Sequence, residues 1–263
     1  MANSKLTFPR IILYVFCTLV LLFIALPIFI VIPISFSQAS YLQFPPASLS
    51  LKWYIELWND STYLSAMAYS FQVAILTVLF SILFGVPASY ALVRSEFKGK
   101  NLITSFIISP MIISHIIISI SIYKVYAEMH LIGSIWGMTI AHVVIVMPFM
   151  ILNISSIMRG LDINLERAAQ ILGANRLTMF VRIIFPLIRP GLLAGALLAF
   201  IISFDELVIS MFICGTKRTL PVRIWEDIRL ELTPTLAAVS TVLICLSVVV
   251  FSLTNFFRRR IKI

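Results

Sequence analysis

Asp205 and Glu206 stand side by side within the apolar stretch 191–213. A charge at the centre of a bilayer costs about 2.5–3.5 kcal/mol on insertion scales, so acids placed there usually face a cavity and serve function. A carboxylate lining a cavity is a counter-charge for a cation. Neighbours on a helix are about 100° apart, so the two acids cannot share one face. Helical spacing groups Ser203, Glu206 and Ser210 on a polar stripe, whereas Asp205 shares its face with Ile202 and Ile209. This predicts Glu206 on a substrate pathway and Asp205 paired with a neighbouring helix. The alternative is a helix-end or interhelical hydrogen bond without substrate contact. His115 and His142 also fall in apolar stretches, where they read as satisfied interhelical histidines, with a proton relay as the alternative. No paired catalytic acids, metal-spaced His cluster or nucleophile elbow is present, so neither catalytic residues nor a metal site is expected.

A second polar feature is the break at 159–186, which lies between two long apolar stretches. Residues 165–172 favour a helix. Gly173 is suited to a left-handed C-terminal cap. Asn175 is suited to cap a following helix, which Pro186 would end, with Pro190 opening another. Ala169 and Gly173 are four apart and would stack on one face. Such a smooth face can be gripped by another protein, with Arg167, Arg176 and Arg182 flanking it. The alternative is an ordinary amphipathic loop on the membrane surface.

The elements that position these residues follow from composition. The 263 residues are 60% hydrophobic and 12% charged, with a mean hydropathy of +1.05; soluble domains are about 45–50% apolar and about 25% charged. Lipid must bury the excess. A spanning helix needs about 20 apolar residues, and six stretches qualify: 11–35, 66–93, 102–123, 132–157, 191–213 and 236–257. The first exceeds the 7–15 residues of a signal-peptide core and reads as an uncleaved span. Gly85, Ala194, Gly195 and Ala196 suit close helix approach. The net charge of +9 would suggest nucleic acid in a soluble chain, but here basic residues crowd the span ends and orient them. Fourteen of the 20 Lys and Arg collect on one side, from Lys5 and Arg94 to Lys262. That side is therefore cytoplasmic, with both termini. Trp53, Tyr54, Trp58 and Tyr63 form an outer aromatic belt or a platform for an external partner, and a short interfacial helix is expected near Trp225. The chain reads as all-α: one polytopic membrane domain, 1–263, with six transmembrane helices and a structured cytoplasmic loop at 159–190. Cys17, Cys214 and Cys245 lack metal-ligand spacing and imply no disulfide framework.

The loop resembles the signature of permease subunits of bacterial ABC importers, E-A-A, three residues, G, nine residues, I-x-L-P. Here it runs Arg167-Ala168-Ala169, three residues, Gly173, nine residues, then Ile183-Ile184-Phe185-Pro186. Arg167 takes the Glu position, with Glu166 one residue earlier, which leaves open which of the two makes the polar contact. Ser203–Glu206, the Leu-Pro-Val-Arg-Ile-Trp region and Lys-Trp-Tyr at 52–54 resemble the spermidine/putrescine-type permeases. The resemblance implies a type I ABC importer permease fold in a bacterial inner membrane. It also implies three kinds of partner: a second permease subunit, a cytoplasmic ABC ATPase dimer and an extracytoplasmic solute-binding protein. Glu166, Arg167, Ala168, Ala169, Gly173, Ile183 and Pro186 would form the coupling element. Without a G-x-x-x-x-G-K-[ST] loop, the chain is expected to be no enzyme. No cofactor is expected on it, since ATP and Mg would bind the partner ATPase. A polyamine or related small cation is the expected substrate. The alternatives are iron, thiamine or an organic anion, or an ion-coupled secondary transporter.

Overall fold

The computed structural model describes residues 8–230 and 233–261. Lys5 and Lys262 lie outside them. The chain divides into two compact units, residues 1–61 with 226–257, and residues 62–225 with 258–263.

In the first unit, helix α1 (Phe8–Ser35) is apolar on every side, and its most apolar stretch buries none of its residues in the chain. Such a helix is stable only where lipid or another protein solvates it. The connection to α2 (Lys52–Asn59) folds back on itself, with Ser37 bridged antiparallel to Leu49. Trp53 is buried and its indole N–H donates to the Ser37 carbonyl at 2.8 Å, while Tyr54 shares a 2.7 Å hydrogen bond with Ser35 Oγ. Thus Trp53 packs inward instead of joining a continuous outer belt, and Trp58 is the exposed ring of α2. Helix α12 (Pro234–Ile261) lies mostly in this unit, with its apolar stretch at Pro234–Val249.

The second unit holds the polar features singled out in the sequence. Its elements are α3 (Ser61–Arg94), α4 (Lys100–Ile108), α5 (His115–Glu128), α6 (Ile135–Arg159), α7 (Ile163–Ile171), α8 (Arg176–Met179), α9 (Phe185–Phe204) and α10 (Val208–Ile213). Helix α11 (Leu220–Leu230) supplies the short helix expected around Trp225. Its core forms around α6, where Met138, Ala141, Ile145, Met150, Ile154 and Met158 are buried. Helix α9 lies close against α6 because it presents glycine. A Cβ on Gly191 would meet Ile157 at 2.7 Å and the Asn153 carbonyl at 2.9 Å; one on Gly195 would meet Met150 at 2.9 Å. Ala194, expected at such a contact, is exposed, and Gly191 takes that role.

Two of the predicted spans are broken. The stretch 102–123 is not one helix: α4 and α5 are bent by 101°. Pro110 lacks the N–H that would reach the Phe106 carbonyl, which instead accepts from the backbone and hydroxyl of Ser109. A short 3-10 turn, Ser109–Met111, and an extended Ser114 complete the bend. The stretch 191–213 is interrupted between Phe204 and Val208. There Glu206 Oε1 accepts the Ile209 N–H at 2.9 Å, so a side chain starts a new helix in competition with the old ladder. Pro186 does not end a helix and Pro190 does not open one. Residues Arg176–Phe204 form one 29-residue helix. A π turn at Phe180–Ile184 precedes Pro186, with the Phe185 N–H bonded back to the Phe180 carbonyl. The wider turn relieves the collision between the proline ring and the preceding carbonyls.

Candidate functional site

The first site is the elbow formed by α7 and α8. Asp162 caps α7 by accepting the Asn164 N–H at 2.9 Å. Gly173, at φ +87°, ends it, and the Ala174 N–H closes on the Ala169 carbonyl at 3.0 Å. Asn175 then caps α8 through the Thr178 N–H at 2.7 Å. The turn between the helices is therefore fixed by two caps, the Gly173–Ala174 closure of α7 and the Asn175 side chain that starts α8.

Glu166 is buried in this elbow. Its carboxylate receives Arg94 Nε at 2.6 Å and the Tyr90 hydroxyl at 2.9 Å, and Arg94 also donates to the Leu161 carbonyl at 3.0 Å. The network ties α7 to the end of α3. Its partners are invisible in the loop itself; Arg94 reads in sequence only as a basic residue ending a span. A cleft of about 580 Å³ adjoins it, lined by Tyr90, Arg94, Glu166, Gln170, Arg176 and Phe180.

The small-residue face is divided. Ala169 is buried, whereas Gly173 stands in open space. Turning Glu166 inward turns Ala169 with it, three positions later on the same helical face. Arg167 and Ala168 are exposed, and so are Ile171 at 85%, Leu172 at 86% and Leu177. The accessible surface of the elbow is thus an apolar knob beside a cation. Ile183 and Pro186 are half-buried at the root of α9.

The second site lies where the two broken helices meet. Glu206 Oε2 pairs with His115 Nδ1 at 3.0 Å, joining the start of α10 to the start of α5. Asp205 is expected to pair with a neighbouring helix, but the pairing falls to the other acid. Glu206 makes the interhelical pair, and Asp205 is exposed, with no ion pair to any described residue. The break removes the continuous wheel on which Glu206 shared a stripe with the serines. Ser203 and Ser210 still converge, but on buried His142, whose ring nitrogens lie 2.8 and 3.2 Å from their hydroxyls. One imidazole therefore bridges both sides of the break. His142 is satisfied between helices, as its sequence position suggests. The bond from His115 to Glu206 depends on the two breaks, which helical spacing in the sequence does not reveal. The resulting cluster combines an open carboxylate, a buried carboxylate and a half-exposed imidazole, which suits it to hold a cation by charge and hydrogen bonds.

Residues 81–263 match the family described as binding-protein-dependent transport system inner membrane component. The chain is 28% identical over 245 residues to the spermidine/putrescine transport system permease protein PotC of Escherichia coli K12, covering 93% of this chain and 92% of the relative. It is 32% identical over 209 residues to the putrescine transport system permease protein PotI of the same organism, covering 75% and 73%. Among solved structures, it is similar to a chain of a bacterial ABC transporter involved in the import of the acidic polysaccharide alginate. The TM-score is 0.77 at 17% identity, over 98% of this chain and 99% of that one; that likeness concerns the fold. A match over more than half the sequence, together with these relatives and the all-helical architecture, places the chain in the family of inner membrane permease components of binding-protein-dependent ABC transport systems.

Proposed function

We propose that this chain forms half of the translocation pathway of an ATP-driven importer for polyamines or a related small cationic amine. A second permease subunit supplies the other half. An external binding protein delivers the substrate, and a cytoplasmic pair of ATPases, with their ATP and Mg, docks at the elbow. Both termini lie on the cytoplasmic side, where the basic residues crowd.

The observation that carries the substrate reading is the acid cluster at the α9–α10 break. An exposed carboxylate within an apolar span is costly unless it faces a polar cavity. Asp205 has no counter-ion among the described residues, so an ammonium group would supply one. The polyamine-named relatives support the same chemistry. For coupling, the apolar knob at Ile171, Leu172 and Leu177 provides the surface for the ATPase, and exposed Arg167 provides the polar contact. Glu166 has its own partners in Arg94 and Tyr90.

A charge-assisted hydrogen bond contributes about 1.5–3 kcal/mol, and each 1.4 kcal/mol is about tenfold in affinity. Asp205→Asn is therefore expected to weaken putrescine uptake about tenfold or more in cells expressing the whole importer, with membrane insertion intact. Unchanged uptake would show that this carboxylate carries no substrate charge.

A further inference from the structure

We propose that His115 is a resident stand-in for the substrate, occupying Glu206 until an ammonium group displaces it. This rests on the cationic-substrate reading above and adds a residue that sets selectivity.

Both oxygens of Glu206 are engaged, Oε1 by the Ile209 N–H and Oε2 by His115 Nδ1. The carboxylate is 5% exposed and the imidazole 42%. The two members of this pair are thus unequal: the carboxylate is locked inside and the imidazole stands at the surface. A buried carboxylate stripped of a partner is strongly penalised, so His115 leaves only when another donor arrives. Rotating the His115 side chain off Glu206 breaks no backbone hydrogen bond of α5, because His115 is its first residue. It opens α5 directly after the bend, following extended Ser114.

The exchange selects for chemistry. The arriving group must replace an N–H donor on Oε2, and exposed Asp205 is the neighbouring acid. A primary ammonium brings three N–H donors and a full charge. A quaternary ammonium brings the charge but no donor. Primary amines are therefore preferred over quaternary ones of similar size.

The test uses the purified importer with its partner subunits and compares wild type with His115→Ala. Thermal stabilisation by methylammonium is titrated, with tetramethylammonium as the control. The variant removes the stand-in, so it is expected to respond to at least tenfold less methylammonium than wild type, and tetramethylammonium is expected to stabilise neither. Equal methylammonium responses, or equal action of both cations, would overturn the displacement. If that variant fails to assemble, His115→Ser carries the same comparison. Putrescine uptake by the wild type is measured in parallel. Its absence would sink the polyamine reading while leaving the methylammonium comparison to decide the role of His115.

Discussion

Glu166 and Glu206 are both acids of a largely apolar chain, and both are assigned by what reaches them. Glu166 is held by Arg94 and Tyr90 across more than 70 positions of sequence. Removing one partner of a buried ion pair costs about 3–5 kcal/mol, because the other charge stays buried. Glu166→Gln is expected to lower the melting temperature of the solubilised protein by several degrees. Adding Arg94→Gln should recover part of that loss, since the stranded charge goes with it. Strict additivity of the two losses would show that the pair is not coupled. The individual polar residues were legible as unusual from their surroundings in the sequence. Their partners were not. Nothing local distinguishes the acid that pairs with His115 from the acid that stays open, because the choice depends on where the helix breaks.

Element boundaries were legible where the signal is local. Asn175 and Gly173 cap as their types suggest, and the apolar runs at 11–35, 66–93 and 132–157 became long helices. The prolines are less legible. Pro110 bends its span, while Pro186 and Pro190 are absorbed into a continuous helix. The difference is packing: a π turn and the close α6–α9 contact hold the second region together, and neither is encoded by the proline itself. The same contact separates two glycines. A Cβ at Gly191 would strike the backbone carbonyl of Asn153 as well as Ile157, whereas at Gly195 its nearest neighbour is the flexible sulfur of Met150. Overpacking costs about 1–3 kcal/mol, and backbone yields less readily than the end of a methionine. Gly191→Ala should therefore destabilise the protein more than Gly195→Ala in thermal melts. The reverse order would show that α9 can shift away from α6.

For the molecule as a whole, the sequence specified the class firmly, through hydropathy and the spacing of the loop motif. It did not specify which face of the loop is offered outward. Leu172, outside the motif's fixed letters, is more exposed than Ala169 within it. Leu172→Asp should abolish co-purification of the ATPase while leaving the folded permease in the membrane. Normal co-purification would move the docking surface elsewhere. The 29-residue helix that begins at Arg176 and ends at Phe204 makes the elbow mechanically consequential. At about 1.5 Å per residue it is a shaft of about 43 Å, with the elbow as its handle and the Asp205 carboxylate just beyond its tip. If the ATPases dock at the elbow and the amine at the acids, as proposed above, a stroke applied at the handle is delivered to the far tip, and drive and cargo sit at opposite ends of one helix.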